Sequence, residues 1–368
     1  MGVSPRFSAR AASRRLLAVA AAATALAAVA GCGSGVAGKA VEATRGTASA
    51  TPSASGSAAP APSGSAAKPA LAPADDEALR IARAVRLAPT AADGGFDEAE
   101  AGKYVAEPML SILKANWKTE KAEYRAEPKL PPVRDPLVRD PLVYRTAPSA
   151  NGDRWFMVVE RIGTDRPVFV FRSSAEDPVW KLALFTYLVE DVDGKRFLGV
   201  DEDASGAALT VASADGLSAD PAAVCAQSAD ATPSKTFGWG PNVAAMEANT
   251  ARQLAADRKD GFETTVTRQA RSGDFGPVWR YGDGGAIVAC VRDNHWTTGA
   301  GKGSVIRWRE SSFQAVTGPD FAVTSYTATN TAVELVWIPP KVGTSSSKPD
   351  VMATDQHLTD FTFKAPKG

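Results

Sequence analysis

Three cysteines, two histidines and a Ser-x-x-Lys quartet are the side chains of this sequence most able to do chemistry, and their spacing decides which kind. Cys225 and Cys290 are expected to pair as a disulfide in an oxidising compartment. The bond would close a loop of about 65 residues and contribute about 4 kcal/mol in the chain-entropy picture. Two buried free thiols are the alternative, because Cys290 stands in the apolar run Ile287–Val291. His295 and His357 lie far apart and show no His-Glu-x-x-His spacing, which argues against a zinc hydrolase. Cys290 and His295 are separated by an odd number of positions. On an extended chain they point to opposite faces, which disfavours a thiolate–imidazole pair, and His295 reads as a structural histidine at a strand end. Ser111 and Lys114 share a helix face with acyl-enzyme spacing, but the companion signatures Ser-Asp-Asn and Lys-Thr-Gly are absent. No catalytic residue and no cofactor is expected.

Other motifs weaken in the same way. Gly299–Ser304 lacks the Gly-Lys-Ser/Thr ending of a phosphate loop and reads as a hairpin loop, as does Gly282–Gly285. Glu190, Asp191, Asp193, Asp201, Glu202 and Asp203 cluster, but Gly194 comes too early for an EF-hand. A solvated turn is expected there, with a calcium site as the alternative. Trp279, Trp308 and Trp337 fall in strand patterns and are expected in the core. Trp239, in Phe237–Pro241, precedes a helix, where it packs as a staple or stands exposed to bind glycan or protein.

The third cysteine has a different setting. Arg14-Arg15 ends a basic segment, and the uncharged run Leu16–Ala30 is too short to span a bilayer, so residues 1–31 read as a signal peptide. Val29-Ala30-Gly31-Cys32 resembles the lipobox of bacterial lipoproteins. That resemblance implies cleavage before Cys32 and a diacylglyceryl thioether on its sulfur, with two acyl chains giving stable anchoring. Ser13–Leu17 also resembles a twin-arginine export signal, so the Sec and twin-arginine routes both stay open.

From Gly33 to Ala72 the chain is almost entirely Ala, Ser, Gly, Thr and Pro, which cannot bury enough apolar surface to order itself. With lipidated Cys32, residues 32–72 are expected to form a disordered linker spanning about 35 Å. The basic leader hides an acidic body. From Cys32 onward 37 bases face 41 acids, a net charge of −4, which argues against nucleic-acid binding.

These groups need a scaffold. Asp75-Asp76-Glu77 opens a helix reaching about Leu87, and a second helix is expected from Asp97 to Trp117, perturbed by Pro108. The tandem repeat Val133–Leu137 and Val138–Leu142 reads as a lengthened loop. Strands are expected at Trp155–Ile162, Pro167–Arg172, Val179–Val189 and Phe197–Leu198. After a boundary near residue 205, a helix over Asn242–Lys259 leads into strands at Phe262–Ala270, Val278–Arg280, Ala286–Arg292, Val305–Val316, Phe321–Thr329, Val333–Ile338 and His357–Phe363. The pattern implies an α+β class with two tandem domains, 73–205 and 206–368. Each would pack helices on a curved antiparallel sheet that resembles the NTF2-like or cystatin-like cone.

With the leader and tether, Arg154–Val158 and Pro178–Leu182 resemble a family of uncharacterised actinobacterial cell-envelope lipoproteins. The resemblance implies an address on the outer face of the cytoplasmic membrane and brings no activity. A non-enzymatic binding or scaffolding module is therefore expected, with a membrane anchor and a cell-wall or envelope-protein partner. The alternatives are a small-cavity hydrolase or isomerase using Asp/Glu, or an accessory subunit of an envelope complex.

Overall fold

The computed structural model describes residues 73–87, 98–126, 138–162, 165–188, 199–212, 214, 216–229, 240–273, 275–282, 284–307, 322–341 and 348–365. The leader, Cys32 and the tether lie outside them. Helix α1 (Asp75–Leu87) carries three carboxylates in its first turn, at the positive end of its dipole. It buries Ala78, Ile81, Ala82 and Val85, a helical stripe that lies on the first sheet.

The expected helix over 97–117 is broken. A short α2 (Glu98–Ala101) is followed by α3 (Met109–Ala126). Pro108 has no N–H to donate, and its ring would clash with the preceding turn of a continuous helix. The chain instead crosses as an extended bridge. Leu182 donates its N–H to Tyr104 at 2.8 Å, and Ala106 donates to Leu182 at 2.9 Å.

Four antiparallel strands form the first sheet in chain order: β1 (Arg139–Arg145), β2 (Arg154–Arg161), β3 (Pro167–Ser173) and β4 (Lys181–Tyr187). β1 corrects the loop reading, because the second copy of the tandem repeat runs into it. The irregular register between Arg139 and Leu142, with Asp140 at φ 44°, is where its aspartate and proline are accommodated. The register puts Phe156, Val158, Phe169, Phe171 and Phe185 on one face and Met157, Val159, Val168, Val170 and Leu184 on the other. All ten are buried. Runs without alternation, as in β2 and β3, are what a sheet covered on both sides requires.

Helices α4 (Pro221–Ser228) and α5 (Pro241–Lys259) lead into the second sheet. Its order is β11-β10-β7-β5, with β6 also paired to β7. The strands are β5 (Phe262–Ala270), β6 (Trp279–Tyr281), β7 (Gly285–Ala300), β10 (Ser325–Ile338) and β11 (Asp350–Lys364), and β8 (Ile306–Arg307) pairs with β9 (Ala322–Val323). The two strands expected over 321–338 are mostly one, because Asn330, Thr331 and Ala332 continue the ladder to β7. Strand β7 likewise runs through Gly299. At the start of α5, Gly240 is required by contact: a Cβ there would sit 2.2 Å from the Asp350 carboxyl carbon.

The class is α+β with antiparallel sheets, as expected. The two sheets share one core, in which Phe156, Phe171 and Leu184 join Trp279, Ile287, Val333, Leu335 and Ala353. The Thr186 hydroxyl donates to the Val333 carbonyl at 3.2 Å, and Leu188 bridges to Ala353. A boundary near 205 thus separates the sheets in sequence, while their apolar interiors are continuous. A smaller cluster on the opposite face of the second sheet joins Val288, Cys290, Val336 and Val351 to Leu217 and Val224.

Candidate functional site

The long strands of the second sheet continue past the shared core, and there the two faces part company. Along β5 burial alternates at every residue. Phe262, Thr264, Val266, Arg268 and Ala270 are half-buried on the α5 side, while Glu263, Thr265, Thr267 and Gln269 are exposed on the other.

The helix-covered face holds charge. Arg292 reaches Glu334 twice, at 2.8 and 3.3 Å, and donates to Asn294 at 2.6 Å, and all three are buried. Arg268 reaches Glu247 and Thr250 of α5. Cys290 lies on this face and is disulfide-bonded to Cys225 of α4, with Cα atoms 5.1 Å apart. The pairing is therefore as expected. The parity argument also holds, since Cys290 and His295 face opposite ways.

The open face is built of hydroxyls. Register aligns Thr265, Thr297, Thr327 and Thr362 in one row across four strands. The next row is Thr267, His295, Thr329 and Asp360, and the third is Gln269, Asp293, Thr331 and His357. Strand spacing sets neighbours in a row about 4.8 Å apart and successive rows about 6.8 Å apart. Toward the core the rows become buried and tied down. Thr331 donates to Asp293 at 2.7 Å, and Arg271 clamps both, at 2.8 Å to Asp293 and 3.1 Å to Thr331. The His295 ring lies 3.0 Å from the Thr329 hydroxyl.

Both histidines thus sit on one face, His295 in mid-strand rather than at a strand end. His357 Nε2 faces Asp355 Oδ2 at 3.2 Å, at ion-pair distance but without hydrogen-bond alignment. Both groups are buried, and so is Thr331, so this corner resembles a catalytic triad in residue types alone. Its hydroxyl is committed to Asp293, and Thr331 is fully buried.

The other sequence candidates disperse. Ser111 and Lys114 lie on α3, where Lys114 pairs with Glu98. Gly299 belongs to β7, and the turn begins at Gly301. Asp203 accepts from the backbone of Ser205 and Ala207, a solvated turn, while 190–198 lie outside the described residues. So do Trp239 and Trp308. Trp279 is fully buried, and Trp337 packs against the core. Among the described residues no group of three or more His, Cys, Asp or Glu is placed to hold a metal. No described helix is long and apolar enough to cross a membrane.

Sequence reading missed the threonine rows. Their signal is the Thr-x-Thr spacing at 265/267 and 327/329/331, which aligns into rows only once the register is known.

No curated protein and no solved structure matches the chain. A family model described as "Domain of unknown function (DUF8094)" matches residues 67–362, most of the chain and nearly all of both sheets, and the protein belongs to that family.

Proposed function

We propose that this protein is an extracytoplasmic lipoprotein, anchored through Cys32 to the outer face of the cytoplasmic membrane, whose second sheet offers its open face as a non-enzymatic binding surface. One observation carries the binding role. A sheet with one face covered by α4 and α5 leaves the other to display ordered rows of hydroxyls at the far end of the chain from Cys32. The lipobox and the unpaired third cysteine support the address, and the Cys225–Cys290 bond suits an oxidising compartment.

On this face Asp293 is neutralised by Arg271, and the exposed carboxylates Glu263 and Asp360 flank the hydroxyl rows. Its chemistry suits an uncharged, polyhydroxylated strand of the wall, held by many weak hydrogen bonds. An acid–base enzyme is disfavoured, because Asp355 and His357 are buried. The expectation of two tandem NTF2-like or cystatin-like cones gives way, in this proposal, to a single ectodomain with one shared core.

Co-sedimentation of the full chain with purified, insoluble cell walls tests the binding role. Wild type should sediment, and Thr297→Arg with Thr327→Arg should stay in the supernatant. Equal sedimentation of both would refute the face. Separately, Cys32→Ala should abolish fatty-acid labelling and release the protein from membranes. A mutant that keeps its label would refute the anchor.

A further inference from the structure

Among the described residues the second sheet ends at β5, and backbone geometry shows which of its groups face away from β7. Gly301 donates to the Gly261 carbonyl, and Arg271 donates to the Val291 carbonyl, both on the β7 side. Antiparallel pairing alternates, so odd-numbered residues address β7. The N–H and C=O groups of Phe262, Thr264, Val266, Arg268 and Ala270 therefore point outward. Among the described residues no strand meets them.

The other long edges are blunted. β1 carries Pro141, left-handed Asp140 and an irregular register. β11 has two register shifts and packs against α3 and β4. Such features keep an edge from adding strands. The register of β5 with β7 is unbroken, and the strand contains neither proline nor lysine.

The helix above this edge points the same way. Asn242 of α5 reaches Asp350 and Val351 on β11, while Glu247 and Thr250 reach Arg268 on β5. These contacts orient the helix. The flank turned past β5 is then that of Ala244, Ala248, Ala251 and Ala255, which recur at helical spacing and are all exposed.

We infer that the β5 edge and this alanine flank form a two-fold interface with a second copy of the chain. Placing β5 antiparallel to its copy about Val266 sets Phe262 opposite Ala270 and Thr264 opposite Arg268. Each outward-facing residue then lies opposite one of the copy. On the open face Glu263 meets Gln269, and Thr265 meets Thr267. No like charges oppose each other, so the edge is complementary to itself, as a two-fold contact requires. The alanines leave room for the two helices to lie close. The sheet would run unbroken through both copies, with its hydroxyl rows on one side. The inference does not depend on what that face binds.

Cysteine pairing in cells expressing the full chain tests it. Thr265→Cys and Thr267→Cys, carried on differently tagged copies, would face each other across the seam as a non-hydrogen-bonded pair with Cα atoms about 4.5 Å apart, within disulfide reach. Oxidation should yield dimers of mixed tags and very little from either variant alone. Val266→Pro, which removes an outward N–H, and Ala248→Arg, which leaves the strand untouched, should each abolish the cross-link. An intact Cys225–Cys290 bond and an unchanged circular dichroism spectrum establish that each variant is folded. Absence of mixed dimers from folded variants, or equal cross-linking of Thr265→Cys alone, would overturn the interface.

Discussion

The two faces of the second sheet are made by the same strands in the same register, yet they handle polar side chains in opposite ways. Under α4 and α5, Glu334 and Asn294 are buried with Arg292 and both bonded to it. On the other side Thr265, Thr297 and Thr362 stand in solvent with their hydroxyls spaced by the strand lattice. The difference shows where stability and where recognition reside. A covered polar group must be paired at a cost in desolvation, so it is part of the fold. An exposed one is nearly free to change, so its regularity calls for another explanation.

Glu334→Ala gives this contrast its largest test. It leaves the Arg292 guanidinium buried with Asn294 as its remaining partner among the described residues, and breaking a buried pair in this way costs about 3–5 kcal/mol. Urea denaturation of the full chain measures the loss. Replacing both partners together, Arg292→Met with Glu334→Leu, should recover most of it. A loss below about 1 kcal/mol for Glu334→Ala would mean that water reaches Arg292, and the two faces would then differ less than their burial implies.

A smaller effect extends the comparison to the first sheet, which is covered on both sides. Burial, reinforced by the negative charge of Glu202, pushes the Tyr144 phenol up to about 12. The unfolded chain ionises near 10. The folded state therefore holds this proton more tightly. The stability linked to it is complete below about pH 10 and is lost as pH rises toward 12, about 2–3 kcal/mol in all. Tyr144→Phe should flatten that part of the pH–stability profile, as followed by thermal melts between pH 9 and pH 12. A wild-type profile already flat there would mean that solvent reaches the phenol.

What the sequence reveals follows from the range of the interaction involved. Helix α1 is legible because its acidic start and the apolar spacing of Ile81, Ala82 and Val85 are local, although Ala78 is buried where Leu79 is only half-buried. The β5 strand is legible from alternation within a nine-residue window. Helix α4 was missed although its start is local too: Asp220 accepts from Ala223 at 2.9 Å, and Pro221 follows it. Its Pro-Ala-Ala-Val-Cys-Ala-Gln-Ser run has almost no polar face to mark a period. The Cys225–Cys290 bond was legible because its logic is arithmetic, two thiols left once Cys32 is set aside. The continuous core was not, because Trp279 and Phe156 join one cluster through contacts that no window contains. The hydroxyl rows fail for the same reason. Thr265, Thr297, Thr327 and Thr362 are neighbours only after three strand registers are fixed.

Those rows supply the smallest expected change in stability. Cross-strand threonine pairs contribute about 0.2–1 kcal/mol each. Alanine at the exposed Thr297 or Thr362 should therefore stay within about 0.5 kcal/mol of wild type in the same urea titration. If the face exists only to keep the sheet soluble, serial alanine replacement should leave wall co-sedimentation unchanged, since an isolated hydroxyl is replaceable by any small side chain. If the spacing is what is recognised, sedimentation should fall stepwise as a row is emptied while the urea midpoint holds. The exchange Thr297→Ser, which keeps the hydroxyl and drops the methyl, sharpens this further. Retained binding would assign recognition to hydrogen bonding, and lost binding would assign it to the methyl groups that hold each threonine in one rotamer.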